Sequence, residues 1–286
     1  MTNLSFFTPA KINLGLIIHQ RLVNGYHQVE TIMHRLPLYD RIDLNWPISS
    51  EDQLECHDSQ VPNNSNNLII KAYHLLKKDF PLPNIKIILT KNIPLGAGLG
   101  GGSFNAGVFI RKINQQFQLQ LSDQQLQSYG LQLGADIPFA ISEHQCMWEK
   151  NHGLPSLETE VLPSLPPCQL VLIYSPFSLD TKTAYQQYVK NQSAPHDLAN
   201  LAQALKKQDL FAIGKFLHND FATQSSLQLP QLQKYQQILL QAGALGVSFT
   251  GKGPTLYGIF PPAIKIDLPY AHQIINFQKD SNDGKN

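Results

Sequence analysis

The chain has 286 residues, with 22 lysines and arginines against 21 aspartates and glutamates and a formal net charge of +1 at pH 7. This balance excludes a broad basic surface for nucleic acid or an anionic membrane, so any phosphate binding must be local. The length fits one large domain or two smaller ones. Three widely spaced cysteines without a C-x-x-C pair predict core thiols in a reducing compartment and argue against structural zinc. The first ten residues lack an export pattern and no stretch is apolar enough to span a membrane, so we expect a cytoplasmic protein.

The first predicted element is an apolar strand over residues 4–18. Lys11 and Asn13 lie two residues apart in it, so their side chains point to the same face. Because an unpaired buried lysine is costly, Lys11 should meet a carboxylate or a phosphate. The alternative is an exposed edge strand, on which the ammonium group stays in water.

A hairpin turn is predicted at Asn24-Gly25, with Tyr26 and His27 beginning the return strand. By themselves these two rings are as consistent with packing as with contact to a planar ligand. Strands should continue over residues 30–44 with a turn near Tyr39-Asp40. Asn67 precedes an amphipathic helix over residues 68–76, for which it suits the N-cap position.

The stretch from Ile93 to Ala106 carries the strongest signal, because five glycines fall within seven residues between a strand at 85–90 and an amphipathic helix. Glycines can adopt positive φ, so such a turn can point successive N–H groups into one concavity. It also leads into a helix N-terminus with unpaired donors and a positive dipole end. The stretch therefore predicts an anion site, and phosphate is the anion we expect.

Other interpretations of this loop are open. Three glycines satisfy the dinucleotide pattern G-x-G-x-x-G: Gly96, Gly98 and Gly101. Asp123 lies at the distance where that motif needs an acidic residue, but Ser122 and Gln125 predict that Asp123 begins a capped helix instead. The loop ends at Ser103 without the lysine of a P-loop. A glycine-rich turn without a ligand is the remaining alternative.

Asp136 follows a predicted helix over residues 122–133, which Gly134 should end. An aspartate before Ile137-Pro138 can simply cap or brace a bend. A carboxylate among small and apolar residues is equally a candidate general base.

A proline-rich segment over residues 149–168 predicts the boundary between two domains, 1–155 and 156–286. The second half should contain a strand at 170–174, helices near 198–205, 210–217 and 232–242, and a strand, glycine turn and strand over 247–260. Residues 246–252 match the start of a P-loop, but Pro254 prevents the helix that should follow, so we reject that reading.

Taken together, five motifs resemble those of the GHMP kinase superfamily over about residues 8–260. They are Pro9-Ala10-Lys11-Ile12-Asn13-Leu14, Asn24-Gly25-Tyr26-His27, the loop from Pro94 to Ser103, Gly134-Ala135-Asp136-Ile137-Pro138, and Thr250-Gly251-Lys252-Gly253. The resemblance implies an α+β fold of two domains: an N-terminal domain like domain 2 of ribosomal protein S5 and a ferredoxin-like α/β C-terminal domain, with a cleft between them.

The resemblance also implies an activity, namely transfer of the γ-phosphoryl group of ATP, with Mg²⁺, to the 2-hydroxyl of 4-diphosphocytidyl-2-C-methyl-D-erythritol. The partner is then a small molecule, with no nucleic acid or membrane, and the chain a monomer or homodimer. Other members act on homoserine, mevalonate or sugars, and a non-catalytic nucleotide-binding relative is a further alternative.

Site residues follow from the resemblance by matched position. Asp136 would be the catalytic base and Lys11 would keep it ionised. ATP would contact Asn67, Pro94, Leu95, Gly96, Ala97, Gly98, Leu99, Gly100, Gly101, Gly102, Ser103 and Asn105, with Ser103 a candidate metal ligand. Substrate would contact Asn13, Tyr26, His27, Asp136, Thr181 and Tyr185.

Several residues depart from the family pattern. Asn24 replaces an aspartate, Phe104 replaces a serine, and Lys252 and Pro254 alter the last motif. Residues 149–153 are less rich in glycine than is usual. We expect Lys11, Asp136 and the loop amides to converge on one point if the resemblance holds.

Overall fold

The computed structural model of the chain describes residues 2–21, 27–151, 157–174, 197–221, 230–251, 253–266, 268 and 272–278. The strands in these ranges are β1 (Thr2–Arg21), β2 (His27–Trp46), β3 (Gln53–Cys56), β4 (Lys86–Thr90), β5 (Cys146–Asn151), β6 (Leu157–Leu162), β7 (Cys168–Ile173), β8 (His218–Asn219), β9 (Gly246–Phe249), β10 (Leu256–Phe260) and β11 (Gln273–Phe277). The helices are α1 (Leu68–Lys77), α2 (Gly101–Gln116), α3 (Asp123–Leu131), α4 (Ile137–Ile141), α5 (Ala199–Lys206), α6 (Leu210–Phe216) and α7 (Pro230–Gln241).

The chain divides into two compact units, and strands β1 and β2 run through both. Unit 1 comprises Met1–Lys11, Arg35–Leu95 and Gly100–His144, and unit 2 comprises Ile12–His34, Gly96–Leu99 and Gln145–Asn286. The domain boundary near residue 155 stays a prediction.

Unit 1 holds part of a mixed sheet in the order β3-β4-β2-β1, with β3 and β4 parallel and β2 and β4 antiparallel. Helices α1 to α4 complete it. The core contains the buried faces of β2, β4, α1 and α2, where apolar residues recur at strand or helix spacing. Ser122 and Gln125 form the predicted capping box at the start of α3.

The predicted turn near Tyr39-Asp40 is wrong, because β2 continues through both residues without a break. Asp40 is fully buried within the strand. Its carboxylate accepts hydrogen bonds from the backbone N–H groups of Asn92 and Ile93 and pairs with the Lys91 ammonium group. These partners satisfy a charge that would otherwise favour a solvent-exposed turn.

Unit 2 holds an antiparallel sheet in the order β11-β7-β10-β9, whose core includes Val171, Ile173, Phe249 and Phe260. Strand β6 pairs antiparallel with β5, which pairs with residues 29–34 of β2. The proline-rich segment thus contains a paired strand. No helix follows the turn after β9, since β10 comes next among the described residues, in accord with rejection of a P-loop there.

The three cysteines lie in or against the packed interior, as predicted for core thiols. All three cysteines are free thiols; Cys146 and Cys168 are buried and Cys56 is half-buried. Burial raises the pKa of Cys168 to about 12. None of the helices in the described ranges has the length and apolar character needed to cross a membrane.

Candidate active site

The loop before α2 has the backbone shape that its glycines predict. Gly96, Gly98 and Gly100 have φ angles of +65°, +76° and +71°, whereas the residues between them do not have positive φ. Backbone that alternates in this way points neighbouring N–H groups toward one concavity, which suits an anion. A methyl group placed on Gly96 would have no atom within 4 Å, so space is open beside this part of the loop.

The loop is anchored at its base in unit 1 by Asp40. The Asp40 carboxylate accepts the N–H groups of Asn92 at 2.8 Å and of Ile93 at 2.9 Å, immediately before the glycines. A methyl group on Gly101 would lie 3.1 Å from Lys91 Nζ, so the buried Lys91–Asp40 pair sits beside the first turn of α2. Sequence reasoning missed Asp40, because a lone acidic residue near a tyrosine resembles a turn signal.

Lys11 and Asp136 meet within unit 1, as predicted. The Lys11 Nζ lies 3.5 Å from Asp136 Oδ2, and the two side chains are 3% and 39% exposed. The alternative of an exposed edge lysine is therefore wrong. The Lys11 stem crosses Gly100, where an added Cβ would be 2.8 Å from Lys11 Cγ. Only glycine allows the lysine to lie this close to the start of α2.

Asp136 is the N-cap residue of α4, but its side chain makes no capping hydrogen bond. The carboxylate is thus not used to cap the bend, which was its structural alternative. It is partly exposed and has a cation beside it. A carboxylate in this setting can accept a proton from a hydroxyl group that approaches from solvent.

In unit 2, Gly98 and Asn13 belong to one packed turn. Thr250 Oγ1 donates to Gly98 O at 2.9 Å, and a Cβ on Gly98 would lie 2.2 Å from Thr250 O. Asn13 is 2% exposed; its Oδ1 accepts the Gly251 N–H at 2.8 Å and its Nδ2 donates to Thr31 at 2.8 Å. The first and last motifs therefore support the same loop.

Two family models match the chain, one over the range that contains the glycine loop and one over the range that contains Thr250 and Gly251. The model described as GHMP kinases N terminal domain covers residues 67–144, and the model described as GHMP kinases C terminal covers residues 201–268. This chain belongs to the GHMP kinase family. The same matches confirm the predicted α+β GHMP kinase fold with its N-terminal and C-terminal domains.

Two similar relatives of this GHMP kinase and one solved structure share an activity name. A protein from Bacteroides fragilis, named 4-diphosphocytidyl-2-C-methyl-D-erythritol kinase, is 33% identical and aligns over 91% of this chain and 93% of its own length. A protein of that name from Azobacteroides pseudotrichonymphae is 35% identical, over 95% and 98%. A crystal structure of 4-(cytidine 5'-diphospho)-2C-methyl-D-erythritol kinase superposes with a TM-score of 0.72 at 25% identity, covering 90% of each chain.

Two asparagines assigned to ATP have structural partners in unit 1. Asn67 caps α1, with its Oδ1 accepting the Ile69 N–H at 2.9 Å, as its sequence position predicts. Asn105 is 2% exposed and accepts the Thr8 hydroxyl at 2.6 Å. Their contact with nucleotide stays a prediction.

Phe104, the departure from the family's serine, is fully buried in α2. Its ring meets Phe139 edge to face with centroids 5.6 Å apart, and the Arg35 guanidinium lies 5.2 Å from its centre. The Phe104 side chain thus packs into unit 1 and offers no ligand for a metal. The hydroxyl group at the end of the loop is that of Ser103, which is half-buried at the start of α2.

Of the residues assigned to substrate, Tyr26, Thr181 and Tyr185 lie outside the described residues, as does Lys252 of the last motif. His27 begins β2 and is partly buried. Contact of all six assigned residues with substrate, including Asn13 and Asp136, stays a prediction.

Proposed function

We propose that this GHMP kinase transfers the γ-phosphoryl group of ATP to the 2-hydroxyl of 4-diphosphocytidyl-2-C-methyl-D-erythritol, in the cytoplasm, on the route to isoprenoid precursors. The observation that carries the proposal is the ion pair of Lys11 and Asp136, packed against Gly100 where the glycine loop enters α2. The names of the relatives, which align over more than nine-tenths of the chain, support the choice of substrate.

In the proposed reaction the oxygen of the substrate 2-hydroxyl forms a bond to the γ-phosphorus of ATP. The bond between that phosphorus and the ADP oxygen breaks, and the Asp136 carboxylate accepts the hydroxyl proton. The Lys11 ammonium group, 3.5 Å from Asp136 Oδ2, can hold the carboxylate in place to act as base. Phosphoryl transfer requires mainly positioning and charge stabilisation, which loop N–H groups and the N-terminus of α2 can supply.

Bound Mg²⁺ would neutralise charge on the phosphates. No group of three or more His, Cys, Asp or Glu side chains in the described part of the chain could hold a metal by itself. Such a cluster is not required, because Mg²⁺ in kinases keeps several waters and binds phosphate oxygens with one or two protein ligands. We assign the Ser103 hydroxyl as one of them.

The test is an ADP-release assay of the purified chain with ATP and one acceptor at a time: 4-diphosphocytidyl-2-C-methyl-D-erythritol, homoserine, mevalonate and a sugar panel. We expect turnover with the first alone, and a product heavier by one phosphoryl group. Turnover with another acceptor instead would assign a different substrate. ATP binding without transfer to any acceptor would favour the non-catalytic alternative. Asp136→Asn is the matched control for contaminating kinase activity.

A further inference from the structure

Arg35, on β2, is a largely buried cation that the proposed chemistry does not use. Its guanidinium carbon lies 5.2 Å from the ring centre of Phe104 on α2 and 5.4 Å from that of Phe139 on α4. Guanidinium groups are attracted to aromatic faces, and more strongly where water is excluded. Burial lowers the pKa of Arg35 to about 10, so the group is still charged at neutral pH.

The same guanidinium collects carbonyl groups at the end of α4. Arg35 Nη2 donates to Phe139 O at 3.0 Å, to Ala140 O at 3.2 Å and to Ser142 O, and Arg35 Nε donates to His144 O at 2.8 Å. The last carbonyls of a helix have no partner within the helix, and three of the four acceptors belong to the buried residues Phe139, Ala140 and Ser142, whereas His144 is exposed. Arg35 therefore supplies hydrogen-bond donors to helix carbonyl groups that would otherwise need another partner.

The opposite end of α4 begins at Asp136. The Asp136 carbonyl accepts the Ala140 N–H at 3.3 Å, whereas its side chain makes no capping bond. Five residues at roughly 1.5 Å each form a rigid unit only about 7.5 Å long. A displacement at the Arg35 end must therefore move the carboxylate relative to Lys11.

Neighbouring helices pack closely on the sides of α4, so its C-terminal end is held mainly by hydrogen bonds to its carbonyl groups. A Cβ on Gly107 would lie 2.5 Å from Ala140 Cβ, and one on Gly130 would lie 2.7 Å from Ile141 Cδ1, so α2 and α3 press closely on the helix. Arg111 Nε donates to Ile141 O at 2.5 Å. Arg35 donates to the neighbouring carbonyls of Phe139, Ala140 and Ser142 and so links this end of α4 to β2.

We propose that Arg35 is a positioning residue for phosphoryl transfer, which holds α4 so that the Asp136 carboxylate stays beside Lys11. The effect on phosphoryl transfer rests on the proposed function, whereas the anchoring of α4 by Arg35 does not depend on it. Phe104 contributes to the same arrangement, because its ring provides one of the two aromatic faces against the guanidinium.

The first experiment measures kcat and KM for ATP in the full chain for Arg35→Met and Arg35→Lys. Arg41→Met is the matched control, since Arg41 lies on the same strand and pairs with Asp43 away from α4. A misplacement near 1 Å can lower a rate about 100-fold, which we expect in kcat for Arg35→Met with little change in KM. Arg35→Lys keeps the positive charge but lacks the planar guanidinium group, so its kcat should lie between that of Arg35→Met and that of the wild type.

The second measurement separates positioning from general stability. In an Asp136→Glu background, which keeps a carboxylate and therefore a measurable kcat, Arg35→Met should lower kcat by a smaller factor than in the wild type, because residues that act as one unit are not additive. An equal loss in both backgrounds would overturn the inference, as would an unchanged kcat in a folded Arg35→Met variant.

Hydrogen exchange tests the structural part without any turnover. The Ala140 and Ser142 amides, which bond within α4, should lose protection in Arg35→Met while amides of α1 keep theirs. Unchanged protection at α4 would overturn the inference. If the wild type phosphorylates none of the acceptors, the proposed function fails, and this measurement still decides the role of Arg35.

Discussion

Replacement of Gly98 by alanine tests whether the glycine loop needs its missing side chains. Gly98 has φ of +76°, and an added Cβ would lie 2.2 Å from Thr250 O, far inside any normal contact. The left-handed conformation costs a non-glycine residue roughly 1–2 kcal/mol. Forcing a methyl group into packed structure adds about 1–3 kcal/mol. Gly98→Ala should therefore lower the free energy of unfolding by about 2–5 kcal/mol.

Gly96→Ala is the matched control for the steric part. Gly96 has φ of +65° but nothing within 4 Å of its Cβ position, so only the conformational cost of roughly 1–2 kcal/mol applies. Urea unfolding monitored by circular dichroism gives the free energy for each variant. Equal losses for the two variants would refute the steric argument.

Nucleotide affinity should distinguish substitutions at the loop glycines from a substitution at a positive-φ glycine elsewhere in the chain. Gly243 has φ of +95° with nothing within 4 Å, but it follows α7, away in sequence from the loop. Calorimetric titration with a non-hydrolysable ATP analogue should show weaker binding for Gly96→Ala and Gly98→Ala and unchanged binding for Gly243→Ala. Unaltered affinity in both loop variants would contradict a phosphate cradle.

Three further predictions follow from the described contacts. Asp136→Ala should remove nearly all turnover and leave ATP affinity within about threefold, because a base acts mainly in the transition state; equal loss of both, measured by ADP release and calorimetry, would indicate a structural role. Asp40→Asn should lower the free energy of unfolding by about 3 kcal/mol, since it leaves buried Lys91 without its counter-charge, and a change near zero in urea unfolding would contradict this. Burial raises the pKa of Cys168 to about 12, so this thiol should stay protonated and resist alkylation at pH 8 and up to about pH 11. The half-buried Cys56 should react first, and mass spectrometry of the labelled peptides checks the order.

The prediction of the family came from the order of short motifs, and the comparisons confirm it. The activity inferred for the chain is the one for which its relatives are named. Residues with local roles were also predictable. Asn67 caps α1 and Ser122 caps α3 because an N-cap bonds to an amide two or three residues away, which is a distance that sequence spacing determines.

The error at Asp40 has a physical cause. Aspartate favours turns when its carboxylate has only local partners or water. In this fold the partners are the Asn92 and Ile93 amides and the Lys91 ammonium group, which β4 brings alongside β2. That pairing depends on sheet register, and register is not encoded in the residues around Asp40.

By itself, the sequence indicated that the glycine loop can turn left-handed, where α1 and α3 begin, and that Lys11, if buried, needs a partner. The family resemblance predicted Asp136 as this partner, and the tertiary structure brings the two side chains to 3.5 Å. Only the tertiary structure decided that Phe104 faces Arg35 and that Asn13 bonds to Gly251. Local dihedral preferences and caps act over a few residues, so composition and spacing express them. Contacts between distant charges arise only when strands pair and helices pack, which depends on the whole chain at once.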